Sequence, residues 1–167
     1  MSDAAASPPG LRRRLAAFVY EGVLLFGVLF IADYLFSTLT QQRDAMQGRW
    51  LGQAFLFVVL GVYFTWFWSH GGQTVALKAW HLRVVDAQGR PLGELRALAR
   101  YVLSWLWFMP ALLAAHLSGL RSITEVFGCL LAGVLAYLLV ARLNPRRQFL
   151  HDLICGTQVV DHRPATP

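Results

Sequence analysis

Four long apolar stretches, separated by polar segments, dominate the pattern along this chain. They cover residues 15–36, 51–68, 101–117 and 123–140. A helix needs roughly 20 residues, at about 1.5 Å each, to cross a hydrocarbon core about 30 Å thick. The pattern therefore predicts an all-α membrane protein with a bundle of four transmembrane helices. Pro110 is expected to kink the third helix, because it lacks an N–H and crowds the preceding turn.

Two short polar-flanked segments have the composition of β-strands. Residues 82–86 read Leu-Arg-Val-Val-Asp and residues 157–161 read Thr-Gln-Val-Val-Asp. Both contain β-branched pairs and lie beside turn residues. Strands this short are unstable alone, so we expect them to pair with each other, or the first to pair with residues 91–92. The sequence thus predicts a small cytoplasmic β element, with two irregular loops as the alternative.

The ends of the chain differ from the apolar stretches. Residues 1–10 are rich in Ala, Ser and Pro and are predicted to be a disordered N-terminal tip. The apolar stretch that follows is longer than the core of a signal peptide, and no small-residue cleavage site follows it. It is therefore interpreted as an uncleaved span, the first element of a membrane domain over residues 11–162.

The distribution of basic residues predicts the orientation. Hydrophobic residues make up 56% of the chain and charged residues 14%, too few charges to cover a water-soluble globule. Of the 15 Lys and Arg residues, Arg43, Arg49 and Arg121 alone fall in the two short loops between spans. The positive-inside rule then places both termini and the long middle loop in the cytoplasm of a multi-pass protein of the bacterial inner membrane. This arrangement explains the net charge of +6 without a nucleic-acid partner.

Three charged residues form the predicted functional site. Arg14 and Glu21 lie two turns apart on one face of the first helix, with Glu21 inside the apolar stretch. A charge at a helix centre costs roughly 2.5–3.5 kcal/mol, so such a residue marks a functional site or a salt bridge with Arg14 or a cation from the tail. Asp152 lies in an apolar segment, residues 149–154, which is predicted to be a short interfacial helix that brings it near the other two. The alternative is a solvated Asp152.

Other residues add candidates but no recognisable catalytic chemistry. The secondary candidates are Arg13, Thr74, Arg100 and His151. Cys129 and Cys155 are predicted to stay unpaired, and no cluster of Cys and His predicts a metal site. No nucleophile with a paired base is present, so neither an enzyme nor a cofactor is expected.

Three pieces of the sequence together resemble the RDD family of bacterial membrane proteins. The first is Arg13-Arg14-Leu15 through to Glu21, and the second is Gly72-Gln73-Thr74 followed by the segment at 82–86. The third is His151-Asp152-Leu153 with Gly156-Thr157. The resemblance extends over residues 11–160 and implies a multi-span membrane protein. For some members of this family cation–proton exchange has been proposed.

The chain departs from the family pattern at two places. Glu21 stands at the position of the family's first aspartate, one methylene longer. Ala76 and Leu77 stand where a glycine and a lysine usually follow the threonine, with Lys78 next. A backbone turn that needs glycine there is expected to be strained or altered.

Two functions remain open from the sequence. The first is transport by ion or proton-coupled exchange, with Glu21 as the titrating group and a homo-oligomer enclosing the path of a small cation or proton. The second is a non-transporting membrane scaffold that binds a partner through its cytoplasmic loop and tail, with Arg14, Glu21 and Asp152 as a structural clasp. In both, the lipid bilayer is the main partner.

Overall fold

The computed structural model describes residues 9–40, 49–143 and 148–163. In chain order the elements are α1 (Leu11–Leu39), α2 (Arg49–His70), α3 (Val75–Ala79), β1 (Leu82–Asp86), α4 (Glu94–Ser104), a 3-10 turn (Trp105–Trp107), α5 (Met109–Leu117), α6 (Ile123–Leu143), α7 (Leu150–Cys155) and β2 (Thr157–Asp161). Most of the predicted disordered tip, residues 1–8, lies outside the described residues.

Long apolar helices form the bundle, as predicted. Within the described residues, α1, α2 and α6 are each long and apolar enough to cross a membrane without a break. Large side chains on them face outward: Phe26 of α1 is 73% exposed and Phe127 of α6 is 67% exposed. Such side chains suit lipid rather than water.

The third span differs from its prediction. It begins at Glu94 as α4, breaks at the 3-10 turn, and continues as α5 with a bend of 40°. Pro110 lies in the first turn of α5, where its missing N–H leaves no hydrogen bond unmade. The predicted bend is therefore present, directly before Pro110, but it separates two helices instead of kinking one continuous helix over residues 101–117.

The predicted β element is present as an antiparallel pair of strands. Leu82 pairs with Asp161, Val84 with Val159, and Asp86 with Thr157. Pairing requires the middle loop and the tail to lie on one side of the bilayer. Since α6 crosses between them, the bent α4–α5 unit must cross as well. The sheet thus supports four crossings rather than three.

Among the described residues, buried side chains concentrate at the end of the bundle beside this sheet. Leu82 and Val84 of β1 are fully buried, and they pack with Ala97 and Tyr101 of α4 and with Trp68 of α2. The Tyr101 hydroxyl also donates to the carbonyl of Phe57 on α2, 2.8 Å away. These contacts fix α2 and α4 to the sheet.

A close approach joins α5 to α6 nearer the opposite end. A Cβ added at Gly133 would lie 2.5 Å from the Cβ of Ala111. Glycine therefore permits the two helices to pack backbone against small side chain, as small residues do in membrane bundles.

The sheet register generates a testable cross-link. Arg83 and Val160 are paired and both are half-buried, and Cα atoms of antiparallel partners lie roughly 4.5–5.5 Å apart, within disulfide range. We expect Arg83→Cys/Val160→Cys, in a chain with Cys129→Ser and Cys155→Ser, to form an intramolecular disulfide on mild oxidation. Protection of both thiols from maleimide labelling measures it.

The matched control is Arg90→Cys/Val160→Cys, because Arg90 lies beyond the far end of the strand pair. Equal cross-linking of both pairs, or none in the paired variant, would contradict the register.

Candidate functional site at one end of the bundle

A buried ion pair lies at the centre of the packed end of the bundle. Arg100 of α4 contacts Oδ1 of Asp152 through Nε at 3.0 Å and through Nη2 at 2.8 Å. Asp152 is fully buried and Arg100 is 6% exposed. The Thr157 hydroxyl donates to the same oxygen at 3.1 Å, and the guanidinium of Arg100 lies 4.2 Å from the centre of the Trp68 ring.

The local fold of the tail explains how Asp152 reaches this position. Helix α7 ends at Gly156, which takes the left-handed conformation with φ of 62°. This cap turns the chain directly into β2, so Thr157 returns beside Asp152. The predicted short helix with a glycine cap is confirmed, and the alternative of a solvated Asp152 is wrong.

Burial and neighbouring charges set the protonation states of Asp152 and His151. Burial alone would raise the pKa of Asp152, but Arg100 and the other cations nearby outweigh it and hold the pKa below its usual value. Burial lowers the pKa of His151 to about 4, so this imidazole is neutral at pH 7. Its Nδ1 lies 2.8 Å from the Tyr137 hydroxyl on α6.

Arg14 completes what we call the charged cluster, consisting of Arg14, Arg100, His151 and Asp152. Its Nη2 donates to Oε1 of Gln148 at 2.7 Å and to the carbonyl of Val159 at 3.3 Å. Arg14 is 6% exposed, and its charge helps to lower the pKa of Asp152. The cluster thus joins α1, α4, α7 and β2, and the direct partner of Asp152 is Arg100.

Arg13 makes a second ionic contact at the rim. Its Nη1 lies 2.5 Å from Oδ2 of Asp161, and its Nη2 donates to the carbonyl of Trp80 at 2.6 Å. The hydrogen bond from Arg13 lowers the pKa of Asp161. Arg13 therefore ties the start of α1 to β2 and to the residues before β1.

Glu21 lies apart from the charged cluster. Its Oε1 accepts a hydrogen bond from the Tyr63 hydroxyl of α2 at 2.8 Å, and its Oε2 accepts one from the Thr74 hydroxyl. Both Glu21 and Thr74 are buried. Among the described residues no cation binds this carboxyl group, so the expected salt bridge to Arg14 or to a tail cation is wrong.

The segment around Thr74 also corrects an expectation. Thr74 caps α3 and accepts from the Leu77 amide at 3.3 Å, so Ala76 and Leu77 lie in an ordinary helix that needs no glycine. The left-handed backbone is at Gly72, with φ of 70°, where a Cβ would lie 2.5 Å from the Val84 carbonyl. The departures at positions 76 and 77 leave this turn intact.

A cavity of about 390 Å³ connects the charged cluster with Glu21. The end of the cavity beside the two strands is lined by Arg14, Arg100 and His151, and the rest of its wall is mainly apolar. One face of α1 runs along it, formed by residues 14, 18, 21, 22, 25 and 29. The cavity therefore has a charged end and an apolar length, with Glu21 between them.

Comparison with protein families adds one finding. The family model described as the RDD family matches residues 8–156. The chain belongs to the RDD family. The RDD match includes Arg14, Glu21, Arg100 and Asp152. Comparison with curated proteins and with solved structures finds no match.

Sequence reasoning missed several partners within this RDD domain. Tyr63, Gln148, Tyr137 and Trp68 were not candidates, although each touches the site. Tyr63 carried a readable signal, since its hydroxyl needs a partner in an apolar helix. The other three are recognisable only once the tail folds against the bundle.

The ion pair predicts a large effect of one neutral substitution. Asp152→Asn leaves Arg100 buried without its counter-charge, and we expect a loss of about 3–5 kcal/mol in the free energy of unfolding. Thermal unfolding in detergent measures it. Asp161→Asn is the matched control, because Asp161 is 26% exposed and its pair with Arg13 is worth about 1 kcal/mol or less. Equal destabilisation by both variants would contradict the central role of Arg100–Asp152.

His151 predicts how stability changes with acid. The unfolded chain binds a proton at this imidazole below pH 6.5, whereas the folded chain does not until its pKa of about 4 is reached. Acidification from pH 6.5 to 4 therefore lowers the free energy of unfolding by up to about 3 kcal/mol. The stabilisation from the neutral His151 is fully present above pH 6.5.

The measurement is melting temperature against pH for the native protein and for His151→Gln. We expect a shallower decline between pH 6.5 and 4 in the variant. Parallel curves would show that His151 titrates alike in both states.

Proposed function

We propose that this protein is a membrane transport protein in which Glu21 binds and releases a proton or a small cation. The observation that carries the proposal is the position of this carboxyl group. It is buried two turns inside a membrane-spanning helix, it lines a cavity, and its partners are two hydroxyl groups rather than a cation. Ionisable groups at such depth are costly and characteristically functional.

The chemistry around Glu21 suits an exchangeable ligand. The carboxyl group and the hydroxyls of Tyr63 and Thr74 supply oxygen atoms only. Oxygen is the ligand that hard cations prefer, and hydroxyls also bind a protonated carboxyl group by rotating from donor to acceptor. One small cation and one proton are thus alternative occupants of the same group, which is the requirement for exchange.

The charged cluster has a supporting role in this proposal. Asp152 is engaged by Arg100, and Arg14 binds the tail through Gln148 and Val159. These bonds hold α1 at a fixed position relative to α4 and α7, and so position Glu21. Neither an enzymatic step nor a cofactor is part of the proposal.

Orientation and assembly belong to the same proposal. The excess of Lys and Arg in the middle loop and termini supports a bacterial inner-membrane location with these segments in the cytoplasm. Four spans enclose little space, so we propose that a homo-oligomer completes the path. Gly27 and Gly128 are exposed, and a Cβ at either meets nothing within 4 Å, which leaves room for close contact with another copy.

A second candidate is a non-transporting scaffold that binds a partner through its cytoplasmic face. The observation that favours it is the structural character of the charged cluster, which joins α1, α4, α7 and β2 through buried bonds. In this case the cluster is a clasp, and Glu21 is a further hydrogen-bonded joint between α1, α2 and α3.

The two candidates differ in one assay. In proteoliposomes with an imposed pH gradient, we expect the native protein to exchange protons for Na⁺ or K⁺, and Glu21→Gln to abolish the exchange because glutamine does not titrate. Intravesicular pH and ion flux are measured together.

Asp33→Asn is the matched control, because Asp33 is exposed near the other end of α1 and should leave the flux unchanged. Equal flux in the native protein and in a folded Glu21→Gln protein would remove Glu21 from the mechanism. A native protein without flux for any ion favours the scaffold.

A further inference from the structure

The cavity has the shape and the polarity of a site for an amphiphile. Along α1 its wall extends from Arg14 to Leu29, a rise of about 22 Å. A single leaflet of the hydrocarbon core is about 15 Å thick. The cavity is therefore long enough to receive an acyl chain that enters from the inner leaflet.

The apolar part of the cavity reaches the surface of the bundle. Phe18, which stacks on Trp107, is 45% exposed although it lines the wall, and Gly22 beside it is exposed as well. Leu25 and Leu29 continue the same face of α1. In a bilayer this opening faces lipid tails, and an apolar cavity takes up an apolar ligand in preference to water.

The polar end of the cavity carries the charge that an anionic head group needs. Arg14, Arg100 and Ser104 all line it. His151 is neutral at pH 7, and Asp152 is already bound to Arg100. Glu21 lies seven residues beyond Arg14, about 10 Å deeper along the helix, beyond contact with a group bound at Arg14.

We propose that this cavity binds one acyl chain of an anionic phospholipid from the inner leaflet, with the lipid phosphate at Arg14. The positive charge of Arg14 attracts a phosphate while its Nη2 keeps its bonds to Gln148 and Val159, and anionic lipids are abundant on the side of the membrane where basic residues accumulate. The acyl chain lies along Phe18, Gly22, Leu25 and Leu29 of α1. This site goes beyond the proposed ion exchange and does not depend on it.

Gly22 provides a blocking variant that leaves the protein contacts intact. Gly22 lines the cavity and a Cβ added there meets no atom within 4 Å, so we expect the ring of Gly22→Phe to fill part of the cavity without displacing a helix. Gly27 is the matched control, since it is an exposed glycine of the same helix with the same free space but does not line the cavity. Leu29→Trp is a second blocking variant in case Gly22→Phe fails to fold.

The experiment is native mass spectrometry of the full chain in detergent with added phosphatidylglycerol, with phosphatidylcholine of the same chains, or with palmitate. We expect the native protein and Gly27→Phe to retain one phosphatidylglycerol. Both lipids carry the phosphate, so the difference comes from the rest of the head group: the choline cation is repelled by Arg14 and Arg100, and retention of phosphatidylglycerol should exceed that of phosphatidylcholine by about tenfold. The blocking variant should lose this preference.

Three results would overturn the proposal. Equal retention by the native protein and a folded blocking variant would place the lipid elsewhere on the surface. Equal retention of the two phospholipids would show that the net charge of the head group does not contribute to lipid binding. Tighter retention of palmitate than of phosphatidylglycerol would assign the cavity to a free fatty acid instead.

Discussion

The buried pair between Arg100 and Asp152 is the interaction on which the rest of this structure depends. Two opposite charges at 2.8 Å, shielded from water, are costly to separate, because either one alone would remain in a medium that cannot solvate it. The pair joins a loop-proximal helix to a tail helix that are far apart in sequence. Once it forms, α7 must turn at Gly156, β2 must return along β1, and Arg14 must meet Gln148 and Val159.

The polar groups of the bundle are separated by depth. The charged cluster lies at the packed end beside the sheet, where its bonds are used to hold elements together. Glu21 lies two turns deeper, between Tyr63 and Thr74, with the cavity on its other side. The ion pair of Asp152 and the hydrogen bonds of Arg14 hold neighbouring elements together, and Glu21 is the carboxyl group that our proposal makes exchangeable. The cavity extends from the charged cluster past Glu21 and is apolar over most of its length. The same face of α1 therefore lines both the Glu21 site and the proposed lipid site.

The sequence predicted the elements whose cause is local. Apolar stretches of sufficient length specify membrane helices, because lipid offers no partner to the backbone. The β-branched segments at 82–86 and 157–161, and the glycine after α7, specify strands and a cap by their own conformational preferences. Local rules failed where neighbours decide: the third span begins at Glu94 and consists of two helices rather than one, and Ala76 fits a helix capped by Thr74.

The sequence by itself determined the four apolar spans and the positions of the charged residues along the chain. It placed Arg14 and Glu21 two turns apart on the first helix and Asp152 on a short helix of the tail. Only the tertiary structure decided which charges pair. Helical spacing placed Arg14 and Glu21 on one face, but spacing does not show which groups from other elements contact them. In the structure Arg100 binds Asp152, and the hydroxyls of Tyr63 and Thr74 bind Glu21. Partner choice in a low-dielectric interior depends on distances of a few ångströms, and those distances exist only after the helices, the loop and the tail have packed.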